Sequence, residues 1–251
     1  VSWPEYLLLL VVGVIAGAVN AIAGGGTLLM LPALVGTGLP TKDASVTNSV
    51  ALWPGYVGNA LGLGPIAREQ ARQRWLLGVI AVAGALCGSL LLLIIPGAAV
   101  DLIVPFLVLG ASLLLAAQPW LKRRFGAGAD EQRSVLVSVC VFGVGLYGGF
   151  FQGALGVILM AVLGVAMAVP LQVVNALKGL LQVAVVSTNV VVFALFGPVH
   201  WLAALVIAPA SLAGGVLGGR FARSVDENVL RRCVVVVGIL VAIWMGVRAI
   251  V

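Results

Sequence analysis

Predominantly apolar stretches of about twenty residues recur along this chain, and that recurrence leaves few folds open. Long runs occupy roughly 5–22, 41–64, 75–95, 100–119, 134–152, 171–197, 200–219 and 229–250, with short ones at 27–39 and 155–169. A helix needs about 20 residues to cross the ~30 Å hydrocarbon layer of a bilayer. Of 251 residues, 62% are hydrophobic and 9% charged, with a mean hydropathy of +1.22. Soluble domains carry about 25% charged residues, and one core cannot hide this much apolar side chain. A soluble enzyme is therefore excluded, and disorder demands the opposite composition. A transmembrane barrel would alternate polar and apolar residues in segments of about ten, whereas these runs are continuous. The expected fold is an all-α polytopic membrane protein.

The two halves echo each other. Gly13-Val14, Gly26, Leu29-Met30, Pro40, Asn59, Ala83-Gly84 and Gly88 recur as Gly143-Val144, Gly156, Leu159-Met160, Pro170, Asn189, Ala213-Gly214 and Gly218, every pair 130 residues apart. This predicts a first repeat over 1–119, a cytoplasmic linker over 120–133 and a second repeat over 134–251. Together they form one integral membrane domain with about five helical segments per repeat. The short runs predict half-helices or re-entrant segments at 25–39 and 154–169.

Charge predicts the orientation. Loop 65–74 carries Arg68, Arg72 and Arg74, while its counterpart near 198–200 has no Lys or Arg. Loop 96–100 has none, while its counterpart 220–232 has Arg220, Arg223, Arg231 and Arg232. Cytoplasmic loops are enriched in Lys and Arg, so equivalent loops are expected on opposite sides and the repeats with inverted topology. Loops 65–74, 120–133 and 220–228 are then cytoplasmic and both termini outside. The net charge of +6 reads as membrane orientation, and no nucleic-acid partner is expected. Residues 5–23 lack a preceding basic region, so no cleaved signal peptide is expected.

Each half is broken after its first hydrophobic run. The first break spans Asn20 to Thr27 and holds Gly24, Gly25 and Gly26; the second holds Gln152, Gly153 and Gly156. Glycine permits unwound backbone, and unwound backbone at membrane depth is tolerated where it is buried or lines a wet cavity. A half-helix starting there aims N–H groups and a positive dipole end at that cavity, which suits an anion. By contrast, the pairs Gly84/Gly88 and Gly214/Gly218 read as close helix packing.

The following runs carry polar stripes. Asn175, Lys178, Gln182 and Asn189 fall on one helical face, as do Ser45, Asn48, Tyr56 and Asn59 in the first half. Lys178 lies about 10 Å into its run at 1.5 Å per residue, where a charge costs about 2.5–3.5 kcal/mol. No acidic residue falls deep in a run to pair with it, which points to an anionic ligand, to snorkelling or to a lowered pKa. The candidate substrate-binding residues are Asn20, Gly25, Gly26, Thr27, Asn48, Asn59, Gln152, Gly153, Gly156, Asn175, Lys178, Gln182 and Asn189. No catalytic residue, metal or cofactor is expected. His200 reads as interfacial, and Cys87, Cys140 and Cys233 as small apolar packing residues.

The stretch from Asn20 through Gly24-Gly25-Gly26 to Pro32, followed by Gly38-Leu39-Pro40 and Thr47-Asn48, resembles the first repeat of the TauE/SafE sulfite-exporter family. Gly149 to Gly156, Ala176 to Lys178, Asn189 and Phe196 to Trp201 resemble its second repeat. The resemblance covers nearly the whole chain. It implies a bacterial inner-membrane carrier exporting sulfite or organosulfonates, with protons as a possible coupling ion. A passive anion channel or an uptake carrier for another small anion is the alternative. The substrate and the lipid bilayer are the expected partners, and an oligomer is open.

Overall fold

The computed structural model describes residues 3–22, 24–61, 69, 74–125, 134–167, 171–221 and 227–250. Ten helices lie among them: α1 (Trp3–Ile22), α2 (Thr27–Gly36), α3 (Thr41–Leu61), α4 (Trp75–Ile94), α5 (Gly97–Phe125), α6 (Ser134–Phe150), α7 (Leu155–Ala166), α8 (Leu171–Phe196), α9 (Trp201–Phe221) and α10 (Glu227–Ile250). Six contain stretches long and apolar enough to cross a membrane, in α1, α4, α5, α8, α9 and α10. α5 passes through Pro119 to Phe125, so the start of the expected linker is helical. Most of loops 65–74, 120–133 and 220–228, and Pro170, lie outside the described residues.

The outward faces of these helices are apolar. On α1, Leu7, Leu8, Val11 and Ile15 are exposed while Leu9, Gly13, Ala16, Gly17 and Asn20 are buried. The buried set keeps a three-to-four-residue spacing, and the exposed set suits lipid. Trp3, Trp75, Trp120, Trp201 and Trp244 are exposed on or near helix ends, as interfacial aromatics are.

Small residues set the closest helix contacts. Gly214 rests on the backbone of Val14 and Gly218 on that of Ala18, which presses α9 onto α1. Gly84 on Phe142 and Gly88 on Leu146 do the same for α4 and α6. Numbers rise together along both seams, so each pair runs parallel. α3 also runs parallel to α9: Ser211 Oγ donates to the Ala51 carbonyl at 3.1 Å, and further along Gly58 meets Leu212.

α3 and α8 cross the other way. Trp53 Nε1 donates to Ser187 Oγ at 2.9 Å. Thr47, earlier in α3, accepts at 3.0 Å from the backbone N–H of His200, beyond the end of α8. α3 is likewise antiparallel to α4, because Lys42 at its start donates from Nζ to the carbonyls of Leu93 (2.6 Å) and Ile95 (2.9 Å) at the end of α4. Those bonds satisfy carbonyls that a helix end leaves open.

The pairings survive exchange of the halves. α1 packs on α9 and α6 on α4; α3 on α9 and α8 on α4; α2 on α10 and α7 on α5. α3 with α8, and α5 with α10, are their own images. One end of the bundle therefore holds the starts of α4, α6, α8 and α10, and with them Arg74, Lys178, Arg231 and Arg232. The opposite end holds the starts of α1, α3, α5 and α9, with Glu5, Lys42, Asp43 and Asp101.

Two sequence expectations change. Arg231 and Arg232 belong to the first turns of α10 rather than to a loop, and Arg231 is buried. Cys87 and Cys233 are exposed free thiols on the outer surface, and Cys140 is half-buried, so none of the three is a fully buried packing residue.

Candidate functional site

The two breaks meet. Gly24, at φ +77°, ends the first helix, and its N–H bonds back to the carbonyls of Val19 and Asn20, both at 3.1 Å. A Cβ placed on Gly24 would lie 3.7 Å from Gly156 Cα in the second break. The residue 130 places after Gly24 is Ala154, also left-handed at φ +52°, where it caps α7. Gln152 has φ +65°. Left-handed backbone in residues other than glycine costs about 1–3 kcal/mol and persists where surrounding structure imposes it. Here Phe151 N–H is held by the Tyr147 carbonyl (2.8 Å), and Tyr147 Oη donates to the Gly153 carbonyl at 2.6 Å.

The starts of α2 and α7 thus converge on one point, each bringing the positive end of a helix dipole. In the second break, the N–H groups of Leu155 and Val157 are taken by the carbonyls of Gln152 (3.2 Å) and Ala154 (2.9 Å). This narrows the set of N–H groups that the second break can offer. Gly153, Ala154 and Gly156 have no backbone acceptor among the described residues.

Buried polar groups surround the point. Asn20 and Thr27 are buried, and the hydroxyl of buried Tyr56 is turned toward both. Asn20 Oδ1 and Thr27 Oγ1 have no hydrogen-bond partner. Gly26 packs against Ala16 and Asn20. Gly25 packs against Leu115 of α5 and Val234 of α10. Gln152 is 1% exposed, and neither amide atom has a partner. Gln182 lies on Gly156. Unsatisfied buried groups each cost about 1–3 kcal/mol, and their gathering beside both breaks makes this the candidate site.

Not every expected site residue joins this cluster. Asn189 is fully buried and donates from Nδ2 to the Gly148 carbonyl at 3.0 Å, which ties α8 to α6. No hydrogen bond links half-buried Asn59 or Asn175 to either break among the described residues. Asn48 is buried with Oδ1 unpartnered, and Lys178 is half-buried. These two lie on opposite sides of the α3–α8 crossing. Asn48 precedes Trp53 by five residues and Lys178 precedes Ser187 by nine, in helices running opposite ways. At 1.5 Å per residue they stand about 20 Å apart along the crossing. A small anion touches one or the other, never both.

Three residues outside the expected set are further candidates. Tyr56 faces Asn20 and Thr27, and its place in the first polar stripe was its signal. Tyr147 holds the second break. Gln118, buried with Oε1 unpartnered, lies one turn beyond Leu115, which packs on Gly25. Its signal was a lone amide in an apolar run. No group of three or more metal-ligating side chains occurs among the described residues.

A family model described as Sulfite exporter TauE/SafE matches residues 9–245. A probable membrane transporter protein of Haemophilus influenzae is 28% identical over 249 residues, covering 95% of this chain and 93% of that protein. The probable membrane transporter protein ORF9 of a Sinorhizobium species is 28% identical, covering 94% and 90%. The probable membrane transporter protein YfcA of Escherichia coli K12 is 26% identical, covering 92% and 85%. No solved structure matches the chain.

Proposed function

We propose, from the premise that the chain belongs to the sulfite exporter TauE/SafE family, that it is a secondary membrane transporter carrying small sulfur-containing anions, sulfite or an organosulfonate, out of the cell. The halves act as inverted repeats in a bacterial inner membrane. The Arg74–Lys178–Arg231 end faces the cytoplasm, in keeping with the positive-inside rule, and both termini lie outside. The antiparallel crossing of α3 and α8, which occupy the same place in their halves, supports the inversion.

One observation carries this reading: the breaks of both halves meet at Gly24 and Gly156 amid buried polar groups without partners. The anion is held there by the starts of α2 and α7, with Thr27, Gln152 and Gln182 around it. Lys178 lies on the cytoplasmic approach and Asn48 on the outer one, so they act in succession. Rocking of one repeat against the other opens the site to each side in turn. A membrane potential negative inside favours anion exit by about 2.3 kcal/mol per charge per 100 mV, so uniport suffices without proton coupling.

The test is flux into and out of proteoliposomes holding the purified protein. Sulfite, sulfate, thiosulfate, taurine and sulfoacetate are compared with and without a pH gradient. Saturable flux of sulfite or an organosulfonate is expected. Flux that rises linearly with gradient and never saturates would mean a channel, and no flux of any of the five would end the sulfur-anion reading.

A further inference from the structure

At the end of the bundle away from Lys178 there is a cavity of about 410 Å³. Val35 at the end of α2, Gly38 and Pro40 in the following turn, Thr41, Asp101 and Met245 line it. It opens beside the end of α2, the half-helix that leads back to the central break. Asp101, in the second turn of α5, is exposed there. For an anion carrier, a carboxylate in this position is unexpected.

The repeat gives it meaning. Position 101 corresponds to 231, which is Arg, and position 48 corresponds to 178, which is Lys. α5 and α10 are each other's images in the packing, and their starts lie at opposite ends. Equivalent places on the two approaches therefore differ in charge: Asp101 stands against Arg231 and neutral Asn48 against Lys178, while Lys42, at the Asp101 end, is held by the Leu93 and Ile95 carbonyls. The fold repeats while its charges do not.

We infer that Asp101 is a sidedness residue, which weakens the access of anions from the outer face while the basic end gathers them from the cytoplasm. This rests on the transport reading above. A charge at a mouth changes the local concentration of a charged solute on that side only. The gradient still sets the direction of net flow; what differs between the faces is the concentration that half-saturates transport. The outer face therefore needs a higher anion concentration than the inner face to half-saturate.

The experiment uses the full chain in proteoliposomes sorted by orientation, with radiolabelled sulfite supplied to one face at a time. The wild type is expected to half-saturate at a lower concentration from the Lys178 face than from the Asp101 face. Asp101→Asn lowers the outer value roughly two- to fourfold, as removal of one charge about 10 Å from the anion's path in water implies, and leaves the inner value unchanged. Asp101→Lys lowers it further. Raising the salt to about 1 M, where the screening length is about 3 Å, abolishes the difference between variants. An unchanged thermal midpoint verifies that the exposed position tolerates substitution. Equal shifts at both faces, or none, would overturn the inference. Saturable wild-type flux with equal half-saturation at both faces overturns it alone, whereas absence of saturable sulfite flux removes the transport reading for this anion as well.

Discussion

Gly24 and Gly156, one from the break in each half, face each other so closely that a Cβ added to the first would lie 3.7 Å from Cα of the second. A Cβ on Gly156 would stand 2.9 Å from Gln182 Nε2, the movable tip of a flexible side chain. Gly156→Ala is expected to fold with little change in thermal midpoint but to slow anion flux by about tenfold, the worth of one charge-assisted hydrogen bond. A Cβ on Gly26 meets the Ala16 carbonyl and Asn20 instead, so Gly26→Ala loses about 1–3 kcal/mol by overpacking. Thermal unfolding in detergent beside flux assays separates the two outcomes.

The glycine seams give a second contrast. Gly88→Ala drives a methyl into the Leu146 carbonyl, and Gly214→Ala into that of Val14. Each is expected to destabilise by about 1–3 kcal/mol or more. Gly78, also within α4, has nothing within 4 Å, and Gly78→Ala is expected to stabilise by roughly 0.5–1 kcal/mol through helix propensity. Thermal midpoints of the three variants check the order.

Lys178→Ala is expected to reduce flux by about tenfold or more, the scale of a hydrogen bond to a charged group, with normal expression. Because Lys178 and Asn48 lie on opposite sides of the α3–α8 crossing, their effects should add. A double-mutant cycle with Asn48→Ala should give a coupling below about 0.5 kcal/mol. Strong coupling would place both side chains on one anion.

The Tyr147 hydroxyl bond to Gly153 predicts that Tyr147→Phe loosens the second break. A stability loss of about 1–2 kcal/mol is expected from the buried carbonyl left open, and flux should fall with it. Hydrogen exchange at Gly153 to Gly156 would report the loosening directly.

Glycine made the first break legible in the sequence, and the shared 130-residue offset made the second. The left-handed residues of the second break were not legible. Gln152 and Ala154 hold that conformation without being glycine, on either side of Gly153, whose carbonyl Tyr147 holds. Helical spacing placed Asn48 and Lys178 on matching polar stripes, but spacing gives the direction a side chain faces around its helix and not its height in the bundle. The height followed only from the crossing of α3 with α8. Lys42 gave no signal either, since its partners, the carbonyls of Leu93 and Ile95, lie about fifty residues away in the chain.

The exchange of partners between the halves, α1 with α9 and α4 with α6, bears on biogenesis. When the ribosome has delivered the first five helices, the glycine-lined seams of α1 and α4 have nothing to close against. The nascent chain must wait in the bilayer until α6 and then α9 emerge. The first half expressed alone would stay assembly-incompetent, and supplying the second half as a separate polypeptide should rescue it.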